Sequence, residues 1–137
     1  MAVTADEPLR SELRSFAVSL GGQPFDLRDE DRAAYHAAAA SAANFPTAAF
    51  TIAQRLLESA GVPFGAVRPL IEQIVANTFK TGPRASLTGP VARGDAGTIE
   101  TQINAVRTAA PDLAAAFEAM VSATADVAAS RRDEGGV

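Results

Sequence analysis

The sequence predicts a mainly α-helical protein, a compact helical bundle with one short strand near the N-terminus. Alanine accounts for 31 of the 137 residues, and alanine has the highest helix propensity of all residues. Apolar residues also recur at helical spacing in successive segments. Aromatic residues make up only 6% of the chain and Trp is absent, whereas sandwiches and barrels are built from β-branched and aromatic strands.

Composition excludes several classes of function. The net charge of −4 argues against a nucleic-acid-binding surface, which is normally basic. The chain has no cysteine, so disulfides, cysteine-ligated zinc, iron–sulfur clusters and thiol catalysis are excluded. No uninterrupted apolar run approaches 18 residues and no signal peptide is indicated, so we expect a cytoplasmic protein that does not interact with membranes.

The first 28 residues predict a helix followed by a strand. The helix is expected over Thr4–Leu20, because Thr4 and Glu7 have the spacing of a capping box and Gly21 follows the last apolar residue. The segment Gln23–Leu27 is expected to be a short strand. A lone strand leaves backbone groups unpaired, so either a sheet is missing or the strand belongs to the sheet of another chain.

Residues 29–130 are expected to form an all-α domain, and residues 131–137 a disordered tail. A long helix should begin near Asp29 and run to about Ala60, with Pro46 kinking it or breaking it after Asn44. Further helices are expected over Phe64–Lys80, over Asp95–Ala109 with Asp95 as the N-cap, and from Pro111 onwards. The glycine- and proline-rich segment Thr81–Gly94 is expected to be a loop.

Two polar residues stand out in the alanine-rich helix. His36 is the only histidine, and Asn44 lies eight residues later, about 80° away around the helix. They could be a buried histidine with satisfied hydrogen bonds and an asparagine bonded near Pro46. Alternatively, both line a cleft, His36 as a proton donor and Asn44 as an amide donor to a substrate. A single histidine without nearby cysteine is poor evidence for a metal site, and none is expected.

The segment Leu87–Asp95 could bind an anion. Thr88 and Arg93 can make directional hydrogen bonds, and the segment leads into a helix N-terminus, where anions bind favourably. The alternative is a structured turn in which Arg93 pairs with a carboxylate and Asp95 only caps the helix. Asn77 could face the same segment. The chain contains neither G-x-G-x-x-G nor G-x-x-x-x-G-K-[ST], so no cofactor is expected to bind to it alone.

The combination of Tyr35-His-Ala-Ala-Ala39, Asn44 and Leu87-Thr-Gly-Pro-Val-Ala-Arg-Gly-Asp95 resembles a helical domain of unknown function. That domain follows a Rossmann domain in bacterial oxidoreductase-like proteins. The family is similar to ketopantoate and pyrroline-carboxylate reductases, whose C-terminal half is like that of phosphogluconate dehydrogenase. The resemblance implies a bundle of that type, with the N-terminal helix and strand as the remnant of a Rossmann sheet.

The resemblance also implies roles for individual residues. Ketopantoate reductases carry Lys, Asn and Asn at i, i+4 and i+8 of the first long helix, and the similar positions here are His36, Ala40 and Asn44. His36 and Asn44 would then be catalytic, and the substrate would be bound by Thr88, Arg93 and Asn77. NAD(P) is implied for the full-length family, held by a Rossmann domain in cis or in trans.

Two functions of different classes remain open at this point. One is the substrate-binding and dimerisation domain of an NAD(P)-dependent reductase acting on a small keto acid or imine. The other is a non-catalytic, homodimeric interaction or scaffold module. A homodimer is expected in either case. The chain could also be a fragment whose Met1 is an internal start, which would explain the unpaired strand.

Overall fold

Helices make up most of the protein, and a short parallel sheet lies near its N-terminus. The computed structural model describes residues 1–134, with side chains described as far as Ser130. The chain divides into two units, Met1–Thr47 and Ala48–Val137. The mainly helical composition with a short N-terminal sheet confirms the predicted fold class.

The first unit begins with a β–α–β motif. Strand β1 (Ala2–Val3) is followed by helix α1 (Leu9–Ser19) and strand β2 (Phe25–Asp26). The two strands pair in parallel, with Ala2 opposite Phe25 and Val3 opposite Asp26. A parallel pair requires a crossover connection, and α1 provides it. A short 3₁₀ turn, Asp29–Asp31, then leads into helix α2 (Arg32–Ser59).

Two expectations for this region are wrong. The helix begins at Leu9 rather than Thr4, and the Thr4 hydroxyl donates to the Leu27 carbonyl instead of capping the helix. The segment Gln23–Leu27 does contain a strand, but that strand is not unpaired, because Ala2–Val3 lies beside it. A strand of two residues is too short to show the alternating pattern by which strands are recognised in a sequence.

Helix α2 runs through Pro46 without ending, so a break after Asn44 is wrong. Proline lacks an N–H and cannot donate to the carbonyl four residues earlier. One residue further along the helix, the Thr47 hydroxyl donates to the Ala43 carbonyl at 2.9 Å. The predicted extent of the helix, from near Asp29 to about Ala60, agrees with the structure.

The second unit contains the end of α2 and five further helices among the residues that the structure describes. A 3₁₀ turn precedes α3 and another precedes α7. The helices are α3 (Arg68–Thr81), α4 (Pro83–Ser86), α5 (Pro90–Arg93), α6 (Ala96–Ala109) and α7 (Ala114–Glu134). The three long ones match the predicted segments. The predicted tail overlaps the last turn of α7, and residues 135–137 lie outside the described part of the chain.

The expected loop Thr81–Gly94 is wrong, because it contains α4 and α5. Each begins with a proline that follows a glycine, Gly82 at φ +89° and Gly89 at φ +92°. Proline is favoured in the first turn of a helix, and only glycine adopts such positive φ angles readily. Four-residue helices are too short to show helical periodicity in the sequence.

Small and branched apolar side chains form the buried positions of each unit. Val3 and Ala17 are buried in the first unit, whereas Ile52, Val106, Ala110 and Ala128 are buried in the second. Helix α7 packs against α4, α5 and α6. The buried Ser86 hydroxyl donates to the Pro83 carbonyl and lies 3.1 Å from the Thr78 hydroxyl, so its polar group is satisfied.

One segment, Pro111–Ser130, is long and apolar enough to cross a membrane by length and composition alone, with a mean hydropathy of 1.2. The expectation that the chain has no transmembrane helix rests on the absence of uninterrupted apolar runs, and it stays a prediction. In this segment alanines raise the mean hydropathy despite Asp112 and Glu118. A single helix of this kind is weak evidence for a membrane span, since core helices of soluble proteins pass the same test.

Asp95 caps helix α6, as expected. Its carboxylate accepts hydrogen bonds from the Thr98 backbone N–H at 3.1 Å and from the Thr98 hydroxyl at 2.7 Å. These hydrogen bonds stabilise the charged form and lower the pKa of Asp95, with a smaller contribution from the charge of Arg93.

Replacing Asp95 with alanine should lower Tm by a few degrees at about pH 7. The pKa of this carboxyl is lowered in the folded state, so its stabilisation is present above the unfolded-state pKa of about 3.9 and is lost as the pH falls through the folded-state value. The difference in Tm from the wild type should therefore shrink below about pH 4. Asp126→Ala, an exposed position inside α7, is the control. A difference that stays constant down to about pH 2.5 would contradict this account.

Candidate functional site

The first turn of α2 places three chemically capable side chains on one face of the helix. Arg32, Tyr35 and His36 have i, i+3 and i+4 spacing, and all three line the same cavity. The Tyr35 ring lies between the rings of Phe25 and His36, with centroid distances of 5.7 Å and 6.0 Å. These ring contacts hold the His36 imidazole at the cavity, although its side chain is exposed to solvent.

This cavity, of about 430 Å³, lies beside strand β1, and Leu27, which follows β2, is also part of its lining. Residues 1–4 line its length, Leu13 and Phe16 of α1 lie on one side, and the α2 face lies on the other. Phe16 is 60% exposed, although it points into the cavity. Within residues 1–134, β1 has no neighbouring strand on its side away from β2. We call the cavity beside β1 the β1 slot.

A second cavity lies at the carboxyl ends of the two strands. It has a volume of about 460 Å³ and is lined by the residues that follow β1 and β2, including Thr4, Arg10 and Arg28. The carboxyl ends of parallel strands are where open α/β sheets bind their ligands. The arginines here are already engaged: Arg10 donates to the Ala5 carbonyl, and Arg28 pairs with Asp31 at 2.7 Å.

Asn44 lies two turns after His36 on α2. Its side chain is exposed and makes no hydrogen bond with any residue that the structure describes. The alternative of a buried histidine with satisfied hydrogen bonds does not describe the single chain, because His36 is exposed and its described contact is with the Tyr35 ring. The amide of Asn44 and the imidazole of His36 are therefore both free to contact a ligand.

The second unit contains the residues predicted to bind a substrate carboxylate. Asn77 is partly buried on α3, and its amide oxygen accepts from Gln73 at 2.9 Å. Thr88 is exposed between α4 and α5, and Arg93 is the last residue of α5. Within residues 1–130, no hydrogen bond or ion pair joins any two of these three, and Arg93 has no ion pair.

The N-terminus of α6, which the sequence offered as an anion site, is filled by the protein itself. The Asp95 carboxylate takes the Thr98 N–H, and Gly94 at φ +71° turns the chain so that this cap can form. A substrate carboxylate would compete with the negative charge already present there. Of the two interpretations of Asp95, capping is therefore the one that the structure supports.

No cluster of three or more histidine, cysteine or acidic side chains with metal-binding geometry occurs among the described residues. Arg32 is not among the site residues predicted from the sequence, although its i, i+3, i+4 spacing with Tyr35 and His36 places the three on one face of a helix. The open edge of β1 could not be predicted, because the sequence gives no sign of β1 itself.

Two solved structures are similar to this chain. One is named "putative NADP oxidoreductase", from Bacteroides fragilis, with a TM-score of 0.79, 23% sequence identity, and coverage of 89% of this chain and 47% of that one. The other is protein TM1727 from Thermotoga maritima, with a TM-score of 0.81, 28% identity, and coverage of 96% and 53%. The chain thus spans about half the length of these relatives.

No curated protein matches the chain significantly. A family model does match, over residues 1–124 of the 137, and its description is "domain of unknown function". Together with the two structures, this match confirms the resemblance to the helical domain of Rossmann-like oxidoreductases, whereas the closer comparison with ketopantoate reductase stays a prediction. The chain belongs to the family DUF2520.

Proposed function

We propose that this chain is the helical, substrate-binding and dimerisation part of an NADP-dependent reductase, whose nucleotide-binding sheet continues from the open edge of β1. The observation that carries the proposal is the β1 slot. A parallel sheet of two strands is marginal alone, and parallel sheets occur almost only in larger sheets with both faces covered. Further strands, in cis or in trans, would fill the slot and cover Phe16.

The comparisons support this arrangement. The Bacteroides fragilis relative is named for NADP, and more than half of its length lies outside the region that this chain covers. That remaining length is sufficient for a nucleotide-binding domain. This chain has no glycine-rich turn to hold a pyrophosphate, so that part of the cofactor would have to be held elsewhere.

The chemistry that suits the α2 face is protonation of a reduced carbonyl or imine. Bound NADPH would supply a hydride to the carbon of a small keto acid or imine. The His36 imidazolium would donate its proton to the oxygen or nitrogen, which gains the electron pair of the broken π bond. The Asn44 amide would donate a hydrogen bond to the same polar group and orient it. The carboxylate-binding roles of Asn77, Thr88 and Arg93 stay predictions.

The second candidate is a non-catalytic, homodimeric scaffold. The exposed large apolar side chains favour it, because a scaffold needs them for association and needs no proton donor. Examples are Leu70, Phe79 and Phe45. The two functions differ in what the protein binds and in what happens when the polar residues of α2 are replaced.

The direct test of the proposed function is NADPH binding by the protein purified from its own cells. We expect a micromolar Kd by fluorescence titration for the native protein and no binding for the 137-residue chain alone. A reductase should then oxidise NADPH in the presence of small 2-oxo acids or cyclic imines. Native protein that fails to bind NADPH would contradict the proposal and favour the scaffold.

Replacing His36 with asparagine should lower kcat for NADPH oxidation by about a hundredfold while leaving the Kd for NADPH unchanged, because only proton donation is lost. The Ser41→Ala variant is a matched control on the same helix, since this exposed hydroxyl donates only to the Ala37 carbonyl. Stopped-flow absorbance measures both quantities. If the His36 variant keeps the wild-type kcat, His36 is not the proton donor.

Replacing Asn44 with alanine should raise KM and lower kcat without changing the oligomeric state, since the side chain is exposed and unpaired. Sedimentation velocity measures the oligomeric state. An Asn44 variant that loses only its self-association would contradict the role of Asn44 as a substrate contact and support the scaffold.

Replacing Arg93 with methionine should raise KM for a 2-oxo acid but not for an uncharged imine, if Arg93 binds the carboxylate.

A further inference from the structure

Arg32 lines the same cavity as His36, the proposed proton donor. Among the described residues that line the β1 slot, these two are the ones whose side chains can carry a positive charge. They lie one turn apart on α2, which places their Cβ atoms about 5–6 Å from each other. Thr4 and Leu27, which follow β1 and β2, line this cavity as well. Arg32 is therefore placed where the carboxyl ends of parallel strands bind ligands.

The guanidinium group of Arg32 has hydrogen-bond donors that the protein does not use. Its Nη1 group donates to the Asp29 carboxylate at 3.1 Å. Among the side chains that the structure describes, none accepts a hydrogen bond from its Nε or Nη2 group. A guanidinium binds a carboxylate most strongly through two parallel N–H···O hydrogen bonds. The Nε–Nη2 edge of Arg32 is therefore available to a second carboxylate.

The ion pair between Arg32 and Asp29 presents little obstacle to such a ligand. The two side chains are 60% and 78% exposed, and ion pairs in water contribute little to stability. The other two carboxylates of the acidic turn, those of Glu30 and Asp31, pair with Arg28 instead. Asp29 is thus the carboxylate with which a ligand would compete for the Arg32 guanidinium.

We propose that Arg32 binds a carboxylate group of the substrate, and that this group is attached to the carbon that is reduced, as in a small 2-oxo acid. The proposal rests on the proposed function and chooses between its two substrate classes, a keto acid and an imine. Because Arg32 and His36 are one helical turn apart, adjacent groups of one small ligand can reach both. The carboxylate contacts the guanidinium, and the keto oxygen contacts the imidazole. An uncharged imine would leave the Nε–Nη2 edge without a partner.

The test is calorimetric titration of the protein purified from its own cells, saturated with NADP⁺, with oxamate and with oxamide. Oxamate is a non-reducible mimic of a 2-oxo acid, and oxamide has an uncharged amide in place of its carboxylate. Arg32→Met should raise the Kd for oxamate at least about tenfold, because hydrogen bonds to a charged group are lost. The Kd values for oxamide and for NADPH should change by less than about threefold.

Three further variants make the test specific. Arg32→Lys keeps the charge but not the two parallel hydrogen bonds, so its Kd for oxamate should be intermediate. Asp29→Asn removes the competing carboxylate and should lower that Kd by about threefold. Arg14→Met is the matched control, because Arg14 also pairs with a single carboxylate, that of Asp26 at 3.0 Å, but lines neither the β1 slot nor the second cavity. It should leave the Kd for oxamate within about threefold of the wild type.

The proposal is overturned if Arg32→Met leaves the Kd for oxamate unchanged, if Arg14→Met raises it equally, or if only Arg93→Met raises it. Native protein that binds NADPH but not oxamate also overturns it, and leaves the reductase proposal standing. If the native protein does not bind NADPH, the reductase proposal fails. The same titration without cofactor then decides separately whether Arg32 binds a carboxylate.

Discussion

The parallel pairing of Ala2–Val3 with Phe25–Asp26 is the interaction on which the structure of the first unit depends. It fixes α1 as a crossover and places the start of α2 beside β1. The Phe25 N–H donates to the Met1 carbonyl and the Leu27 N–H to the Val3 carbonyl, so the N–H and C=O of Ala2, between them, point to the opposite edge. The β1 slot, which His36 also lines, connects this part of the fold to the proposed chemistry.

The second unit depends on a different constraint, the small volume of alanine. Alanine favours helix formation but gives little side chain to fill the space between helices. The cavities beside α6 and α7 and the many exposed apolar residues have this common cause. Such exposed apolar surface is available for contact with another protein surface.

Sequence reasoning succeeded where a signal extends over many residues. Periodic apolar residues and the Asp95 cap located α6, and the acidic turn at residues 29–31 located the start of α2. It failed where an element is shorter than the period that reveals it, as for β1, α4 and α5. The same limit applies to the candidate site. His36 was predicted as a proton donor from the sequence, but the β1 slot beside it was not, because β1 is defined only by its pairing with β2 in the folded chain.

Hydrogen exchange at the Ala2 amide tests most directly whether β1 lies inside a larger sheet. The measurement compares the protein purified from its own cells with the 137-residue chain. The account predicts that the Ala2 N–H is protected in the native protein by at least about a hundredfold over the chain alone, because a neighbouring strand accepts its hydrogen bond. If Ala2 exchanges equally fast in both, no strand occupies the slot, and the proposed link to a nucleotide-binding sheet is contradicted.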